Sequence, residues 1–330
     1  MSKPKRHHFV TRVYLERFAH NGRVLVRWRG KPRAFVTNVQ NVAVESGFYD
    51  VEGPDGERSD AVEKMLADLE GDAAVALKSI DENRVPPGLG TTERATLAAF
   101  LALQLTRTPE ARDRILFPRG LAAHAGEHEI DTTVVAEYLE HVHLGFRPDD
   151  SEVRAALDYA HVALRDPAIL TKEFTIQVMV GSVNQFTPIL LDKHWCLEIA
   201  RKPRLITSDF PLVIWRKPSP RDKFEGVGIA NAEEIRFPLD PGKQLVLTPA
   251  RRPPVREIEP DRVRACNADV ASACHRFIVG NPNWPTPLHE AFLAPRRPVL
   301  RFNTGPGYER QLDGTFAYMG EVLHMWVPRR

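Results

Sequence analysis

Two polar side chains near the start of the chain are of types that can do chemistry together. His8 and Arg12 are four residues apart, and the apolar spacing around them predicts a short amphipathic helix over residues 9–19. Residues four apart on a helix project from one face. An imidazole can carry a proton or bind a metal, and a guanidinium can hold a phosphate or carboxylate. The alternative is structural: His8 flanks the helix and Arg12 forms an ion pair.

A second polar group lies on two predicted long helices. Gln104 falls on the apolar face of the later helix, where a buried amide needs hydrogen-bond partners. Arg107 lies three residues further on, so both side chains can reach a shared anionic or amide-bearing partner. Glu70 borders the apolar stripe of the earlier helix and is the expected counter-charge for a buried arginine. These residues either serve a substrate or simply fasten the two helices together.

Carboxylates occur at two further places. Ser208 and Asp209 follow two apolar residues and precede Pro211, at the predicted end of a strand. Residues at such a position can bind a metal or a substrate, or make the hydrogen bonds of the turn itself. Glu45 lies outside the predicted helices, so no helical face explains it, and it is a further candidate carboxylate.

One imidazole and two carboxylates form a set that a divalent metal ion accepts. We therefore take His8, Glu45 and Asp209 as candidate catalytic residues and as candidate ligands of a divalent metal, the one cofactor that the residues suggest. Arg12 and Arg107 would hold an anionic substrate. This combination supports metal-assisted hydrolysis with a carboxylate or the imidazole as base for the attacking water. The hypothesis requires these segments to meet in the folded chain.

Composition limits the classes of function. The chain has 330 residues and a formal net charge of +2, from 45 Lys and Arg against 43 Asp and Glu. This near balance does not imply nucleic acid or an anionic membrane as a partner, although a local basic patch remains compatible with nucleic acid. Three cysteines without a CxxC pair predict reduced thiols. The sequence lacks a signal peptide and an uninterrupted apolar stretch of about 18 residues, so we expect a cytoplasmic protein without a membrane partner.

The elements that must position these residues come in blocks. A hairpin is predicted over residues 24–29 and 34–37. Long helices are predicted over residues 59–80, capped by Ser59 or Asp60, and over residues 91–115, capped by Thr91. Further helices are predicted over residues 132–144, 151–164, 167–183 and 261–277, and strands over residues 195–199, 205–207, 212–215, 244–248 and 315–327. Blocks rather than alternation predict an α+β fold, in which a helical N-terminal and central region packs against a mainly antiparallel C-terminal sheet. We expect one intimately packed domain over residues 1–330, mainly helical over 1–190 and mainly β over 191–330.

Several short stretches together resemble a bacterial family catalogued as domain of unknown function 4238. They follow the family's order and spacing over nearly the whole chain: residues 5–18, 43–50, 69–70, 103–109, 206–211 and 237–241. Two positions depart from it, since Thr11 stands where the family often has proline and Phe210 where it often has asparagine. The resemblance supplies no reaction. It implies that the matching positions deserve attention, which adds Tyr49 and Ser208 to Arg12, Gln104 and Arg107 as candidate substrate-binding residues.

Two hypotheses for function follow. The first is a hydrolase acting on a phosphorylated or other anionic substrate, which includes nucleic acid. The second is a non-catalytic binding or interaction protein, such as a toxin or defence component, in which the same polar residues, Glu70 among them, form a structural network. The sequence lacks the signatures of phosphate-binding loops, zinc proteases and serine hydrolases. An open cleft with converging polar groups would favour the first hypothesis, and buried, mutually bonded groups the second.

Overall fold

A computed structural model of the chain describes residues 6–326, except residues 50, 53–57, 60, 145, 167, 169–170, 220–225, 296–299 and 312. The described strands are β1 (Arg6–His8), β2 (Arg23–Trp28), β3 (Phe35–Asn38), β4 (Val44–Ser46), β5 (Val51–Glu52), β6 (Arg58–Ser59), β7 (His194–Ala200), β8 (Thr207–Ser208), β9 (Val213–Trp215), β10 (Glu234–Asp240), β11 (Lys243–Thr248), β12 (Val255–Ile258), β13 (Phe277–Gly280), β14 (Arg301–Arg310) and β15 (Phe316–Trp326). The described α-helices are α1 (Arg12–Glu16), α2 (Ala61–Asn83), α3 (Thr92–Thr106), α4 (Pro109–Ile115), α5 (Phe117–Ala125), α6 (Thr132–Tyr138), α7 (Asp150–Leu164), α8 (Lys172–Leu191), α9 (Pro260–Ala273) and α10 (Thr286–Glu290). The predicted α+β fold is confirmed.

The start of the chain differs from the predicted helix over residues 9–19. Strand β1 comes first and pairs antiparallel with β4, so His8 lies opposite Val44 on a strand. The helix α1 begins only at Arg12, because Thr11 is its N-cap and accepts a hydrogen bond from the Tyr14 backbone N–H at 3.2 Å. The prediction that His8 and Arg12 share one helical face is therefore wrong.

Two larger sheets hold most of the remaining strands. The predicted hairpin is confirmed as the antiparallel pair β2 and β3, and it belongs to a four-stranded sheet of order β3-β2-β13-β8. The second sheet has five strands in the order β12-β7-β11-β10-β9, antiparallel except where β12 runs parallel to β7. Strand β8, which carries Ser208, is thus an edge of the four-stranded sheet in the described part of the chain.

The long helices α2 and α3 cover one side of the main core. Leu66, Leu77 and Ile80 are buried on α2, on the predicted face. Thr91 caps α3, as predicted, by accepting a hydrogen bond from the Arg94 backbone N–H at 3.3 Å. The helix ends at Thr106 rather than near residue 115, because Thr108 caps a new helix, α4, with proline at its first turn. Residue 60 lies outside the described residues, so the choice between Ser59 and Asp60 as the N-cap of α2 stays a prediction.

The main core joins helices from the first part of the chain to the five-stranded sheet. The Tyr14 ring stacks on Phe237 of β10 at a centroid distance of 4.7 Å, and Phe100 of α3 meets the same ring edge-on. Alternate residues of β7, β10 and β11, such as Leu197 and Leu245, face this core. A smaller core forms between α5, α6, α7 and the β14–β15 hairpin, where Phe117 packs on Phe302.

Helix α8 has the length and composition of a membrane-crossing helix, with a mean hydropathy of 1.2. About a fifth of that stretch, 22%, is buried within the chain, and it contains Pro188. Core helices of proteins that never enter a membrane pass the same test, so α8 does not decide where the protein resides.

Candidate functional site

Arg107 lies at the centre of a buried network formed by four of the predicted site residues. Its Nε donates to the Tyr49 hydroxyl at 3.0 Å, its Nη1 to Glu70 at 2.6 Å and its Nη2 to the His8 carbonyl oxygen at 2.7 Å. Arg107 is only 2% exposed. Burial alone would lower the pKa of this guanidinium, but Tyr49 and Glu70 outweigh it and the pKa is raised. Every nitrogen of Arg107 thus has a partner inside the protein, with Glu70 as the expected counter-charge.

Gln104 does not join this network. Its side chain is fully buried, yet neither amide atom has a hydrogen-bond partner among the described residues. The predicted sharing of a partner between Gln104 and Arg107 is therefore wrong. A buried amide without partners is costly, so Gln104 is an anomaly of the core rather than part of a formed site.

The β1–β4 pair brings together two histidines and a carboxylate. The Nδ1 of His7 accepts from the Tyr49 backbone N–H at 3.0 Å, while its Nε2 contacts Glu63. Glu45 lies directly opposite His7 in the register. The Nδ1 of His8 is buried without a hydrogen-bond partner among the described residues, and burial lowers the pKa of His8. The imidazole that pairs with a carboxylate is therefore that of His7, with Glu63, and not that of His8. The position of His7 in the sequence did not reveal this role.

Arg12 makes an ion pair with Glu16 one helical turn away, at 3.0 Å, and both side chains are about half exposed. This is the structural alternative considered for Arg12. Its guanidinium is not part of the Arg107 network, whose bonds are made by Tyr49, Glu70 and His8.

Ser208 and Asp209 are buried and bonded within the protein. The Ser208 hydroxyl donates to the Phe210 carbonyl at 2.8 Å and accepts from the Phe210 N–H at 3.1 Å, which is the bonding of a turn. The Asp209 carboxylate accepts from the backbone N–H groups of His275 at 2.9 Å and Arg276 at 2.6 Å. Burial raises the pKa of Asp209 to about 7, although these two N–H groups oppose the rise.

Arg276 links Asp209 to the N-terminal strands. Its backbone N–H bonds Asp209, and its guanidinium lies 3.6 Å from the Glu45 carboxylate and over the Phe9 ring at 5.8 Å. The two predicted carboxylates are thus connected through one arginine.

The predicted metal site is not formed. No group of three or more His, Cys, Asp or Glu side chains suited to a metal ion exists in the part of the chain that the structure describes, which includes His8, Glu45 and Asp209. Two of these residues have other partners: the Asp209 carboxylate accepts from the backbone N–H groups of residues 275 and 276, and Arg276 faces Glu45. Among the described residues, His8, Glu45 and Asp209 are therefore not brought together as the ligands of a metal ion.

Sequence reasoning missed a carboxylate–imidazole pair next to Asp209. The imidazole of His275 contacts the Glu110 carboxylate, and Arg114, one turn further along α4, donates to Glu110 at 2.5 Å. His275 lies two residues after the end of α9, and its backbone N–H donates to Asp209. The spacing of Glu110 and Arg114 was visible in the sequence, but their meeting with a histidine 165 positions away was not.

A cavity of about 450 Å³ opens beside this pair. Its walls come from α4, α8, the segment around Phe210, residues 226–230 and β15. Most of its lining is apolar, and its polar side chains include Glu110, Arg114 and His324. The Nε of Arg114 is buried without a hydrogen-bond partner among the described residues. An apolar hollow with a few polar side chains has the character of a small-molecule site.

Another polar cluster lies between the five-stranded sheet and α9. Glu198, fully buried on β7, contacts Arg256 and lies 3.2 Å from Arg262 of α9. Arg262 also bonds Glu234 of β10 at 2.7 Å. Burial alone would raise the pKa of Glu234, but Arg236, Arg262 and their neighbour Arg252 outweigh it and lower the pKa to about 2. This cluster ties α9, and with it His275, to the sheet.

A family model described as "Protein of unknown function (DUF4238)" matches residues 6–283. The chain belongs to this family. No curated protein and no solved structure matches it. The region shared with the DUF4238 family contains Asp209, Glu110 and His275, whereas His324 lies beyond it. The two departures from the DUF4238 pattern also have structural consequences, since Thr11 caps α1 and Phe210 lines the cavity with an apolar ring.

Proposed function

We propose that this protein binds a small, largely apolar molecule with an anionic or ester group in the cavity beside Glu110. The observation that carries the proposal is a cavity of about 450 Å³ whose lining is mainly apolar, with the side chains of Glu110 and Arg114 at its polar end. Sites for small molecules have volumes of about 300–1,000 Å³ and are mainly apolar with a few polar groups. A carboxylate, phosphate or carbonyl oxygen of the ligand would accept from Arg114. A hollow of this size favours a small molecule over a polynucleotide.

We further propose that the bound molecule is hydrolysed. Glu110 lines the cavity and His275 contacts it from behind, so a proton taken by the carboxylate can be shared with the imidazole. In this scheme water attacks the ester carbon or phosphorus and its proton passes to Glu110. The bond to the leaving oxygen then breaks, and Glu110 returns the proton to that oxygen, so that an acid and an alcohol are released. Arg114 would stabilise the negative charge that develops on the substrate oxygen.

The second candidate is a binding protein without catalysis. It is favoured by the bonding of the polar residues singled out in the sequence, since Arg107, Ser208 and Asp209 are buried and satisfied within the chain. Glu110 is likewise engaged by both His275 and Arg114. Under this candidate the cavity holds its ligand and Glu110 serves only to orient Arg114.

Two measurements test these proposals. A thermal-shift screen of small carboxylates, phosphate esters and carboxylic esters would be run on the wild type and on Ala111→Trp, which fills the cavity from α4. We expect ligands that stabilise the wild type and leave Ala111→Trp unchanged. If no compound stabilises the wild type, or if Ala111→Trp responds equally, the binding site is not this cavity.

Hydrolysis is then assayed with p-nitrophenyl carboxylic and phosphate esters. We expect the activity of Glu110→Gln to be roughly 100-fold lower than that of the wild type, because a general base usually contributes a factor of this size. Glu93→Gln, which changes an exposed acid in the first turn of α3, is the matched control and should retain it. Circular dichroism confirms that both variants are folded. A ligand that binds in the cavity but is cleaved by neither wild type nor variant would establish the non-catalytic candidate.

A further inference from the structure

A second cavity of about 450 Å³ lies beside the Asn267-bearing helix α9. It is bounded by α9, α10, the end of β12 and the segment that follows β7. Apolar side chains form much of its surface, among them Ile258, Val263 and Phe292. Phe292 is 83% exposed, which is unusual for a large aromatic ring and leaves an apolar wall facing solvent. A ligand with an apolar body would cover this surface.

The polar groups around this cavity are predominantly cationic. Lys202, Arg204 and Arg264 line it, against one carboxylate, Glu290. Arg264 is already paired with Asp261 at the start of α9. Lys202 and Arg204 therefore supply the positive charge that is not offset locally, and they come from the same short segment after β7. Charge complementarity at this end of the cavity favours an anion.

Arg204 also has a specific need for a partner. Its Nη1 is buried and has no hydrogen-bond partner among the described residues, while its guanidinium lies 5.9 Å from the Trp284 ring centre. Leaving a charged donor unpaired and shielded from water costs free energy. The neighbouring amide of Asn267 cannot help, since it is used by the Ile206 N–H at 3.1 Å and the Arg204 carbonyl at 2.8 Å.

We propose that this second cavity binds an amphipathic organic anion. Its apolar chain or ring lies against Val263, Ile258 and Phe292, and its single carboxylate lies at the end of the cavity formed by Lys202 and Arg204, whose positive charges attract it. The site is separate from the Glu110 cavity and shares no lining residue with it. The inference therefore stands or falls independently of the proposed function.

Decanoate, 1-decanol and decylamine test the proposal, because they share one chain and differ in the charge of the head group. Binding to the full chain is measured by isothermal titration calorimetry below the concentration at which the probes form micelles. We expect decanoate to bind one equivalent and the other two to bind at least roughly tenfold more weakly, since a charge-assisted hydrogen bond adds to the apolar contact. Affinity for decanoate should also fall as salt is added.

Variants locate the bound anion. Arg204→Met and Lys202→Met keep the aliphatic parts of the side chains and should each weaken decanoate binding by roughly tenfold. Ala268→Trp fills the cavity from α9 and should abolish it. Arg201→Met is the matched control: Arg201 lies next to Lys202 but is bonded to Glu257 and Glu259 outside the cavity, so binding should be unchanged.

Several results would overturn the proposal. They are the absence of decanoate binding to the folded wild type, equal affinity for all three probes, and unchanged binding by Ala268→Trp. If decanoate binding is lost in Ala111→Trp and kept in Ala268→Trp, the anion binds in the Glu110 cavity, and this result would refute the proposed site as well.

Discussion

The Oε1 of Glu70 lies 2.6 Å from the Nη1 of Arg107, and this ion pair joins α2 to α3 beneath the β1 strand. Because Arg107 is buried and also holds Tyr49 and the His8 carbonyl, its removal leaves three acceptors without a donor. We expect Arg107→Met to lower the free energy of unfolding by about 3–5 kcal/mol, as for other broken buried pairs. Urea denaturation measures this. Lys78→Met, on the exposed face of α2, should change it by less than about 0.5 kcal/mol. A loss below about 1 kcal/mol for Arg107→Met would contradict the network.

Gln104 allows the opposite prediction. Its amide is buried and lacks partners among the described residues, so replacing it with a methionine of similar shape should remove a desolvation cost. We expect Gln104→Met to raise the free energy of unfolding by about 1–3 kcal/mol. Gln244→Met is the matched comparison, since the Gln244 amide bonds Glu198 at 2.5 Å and its loss should destabilise the protein. If Gln104→Met destabilises instead, the amide has a partner such as an internal water.

Asp209 should make stability depend on pH. Its pKa is about 7 in the folded protein, against about 3.9 for an aspartate in an unfolded chain. Between these values the folded state holds the proton more tightly, so the free energy of unfolding falls as the pH rises from about 4 to about 7, by up to about 4 kcal/mol. Asp209→Asn cannot titrate. Urea denaturation of both proteins at about pH 5 and about pH 8 measures the effect. The free energy of unfolding of the wild type, relative to that of the variant, should be lower at about pH 8 than at about pH 5. A difference that is constant or grows with pH would refute the assignment.

Glu198 tests how firmly α9 is held to the sheet. Its carboxylate, fully buried, faces Arg256 and Arg262, and Glu198→Gln would leave both guanidinium groups without their shared anion. We expect a loss of about 3–5 kcal/mol in the free energy of unfolding. Glu257→Gln, on the neighbouring strand and exposed, serves as the control and should lose less than about 1 kcal/mol. Equal effects of the two substitutions would mean that the cluster contributes little.

Local patterns predicted the elements whose causes are local. The hairpin of β2 and β3, the Thr91 cap and the buried face of α2 all depend on residues within a few positions of one another. The pairing of Glu70 with Arg107 was also predictable, because a buried arginine on one of two adjacent long helices requires a nearby acid.

Long-range contacts explain what the sequence could not reveal. His8 lies on a strand because β1 pairs with residues 44–46, and no local pattern encodes that partner. The Asp209 carboxylate accepts from the backbone N–H groups of residues 275 and 276, and backbone groups carry no side-chain signature in the sequence. Residue types alone suggested a hydrolytic or metal site. In the folded chain these polar residues bond to other parts of the same chain.

The cavity beside Glu110 is formed partly by the region that the family model matches and partly by residues after it. Glu110, Arg114 and Phe210 lie inside the region matched by the family model, whereas His324 and Met325 of β15 lie after it. A chain limited to the matched region would keep Glu110, Arg114 and Phe210 but would lack the wall of the cavity that β15 forms. Replacing the hairpin would therefore change the shape of one wall of the cavity, while the polar end formed by Glu110 and Arg114 would stay as it is.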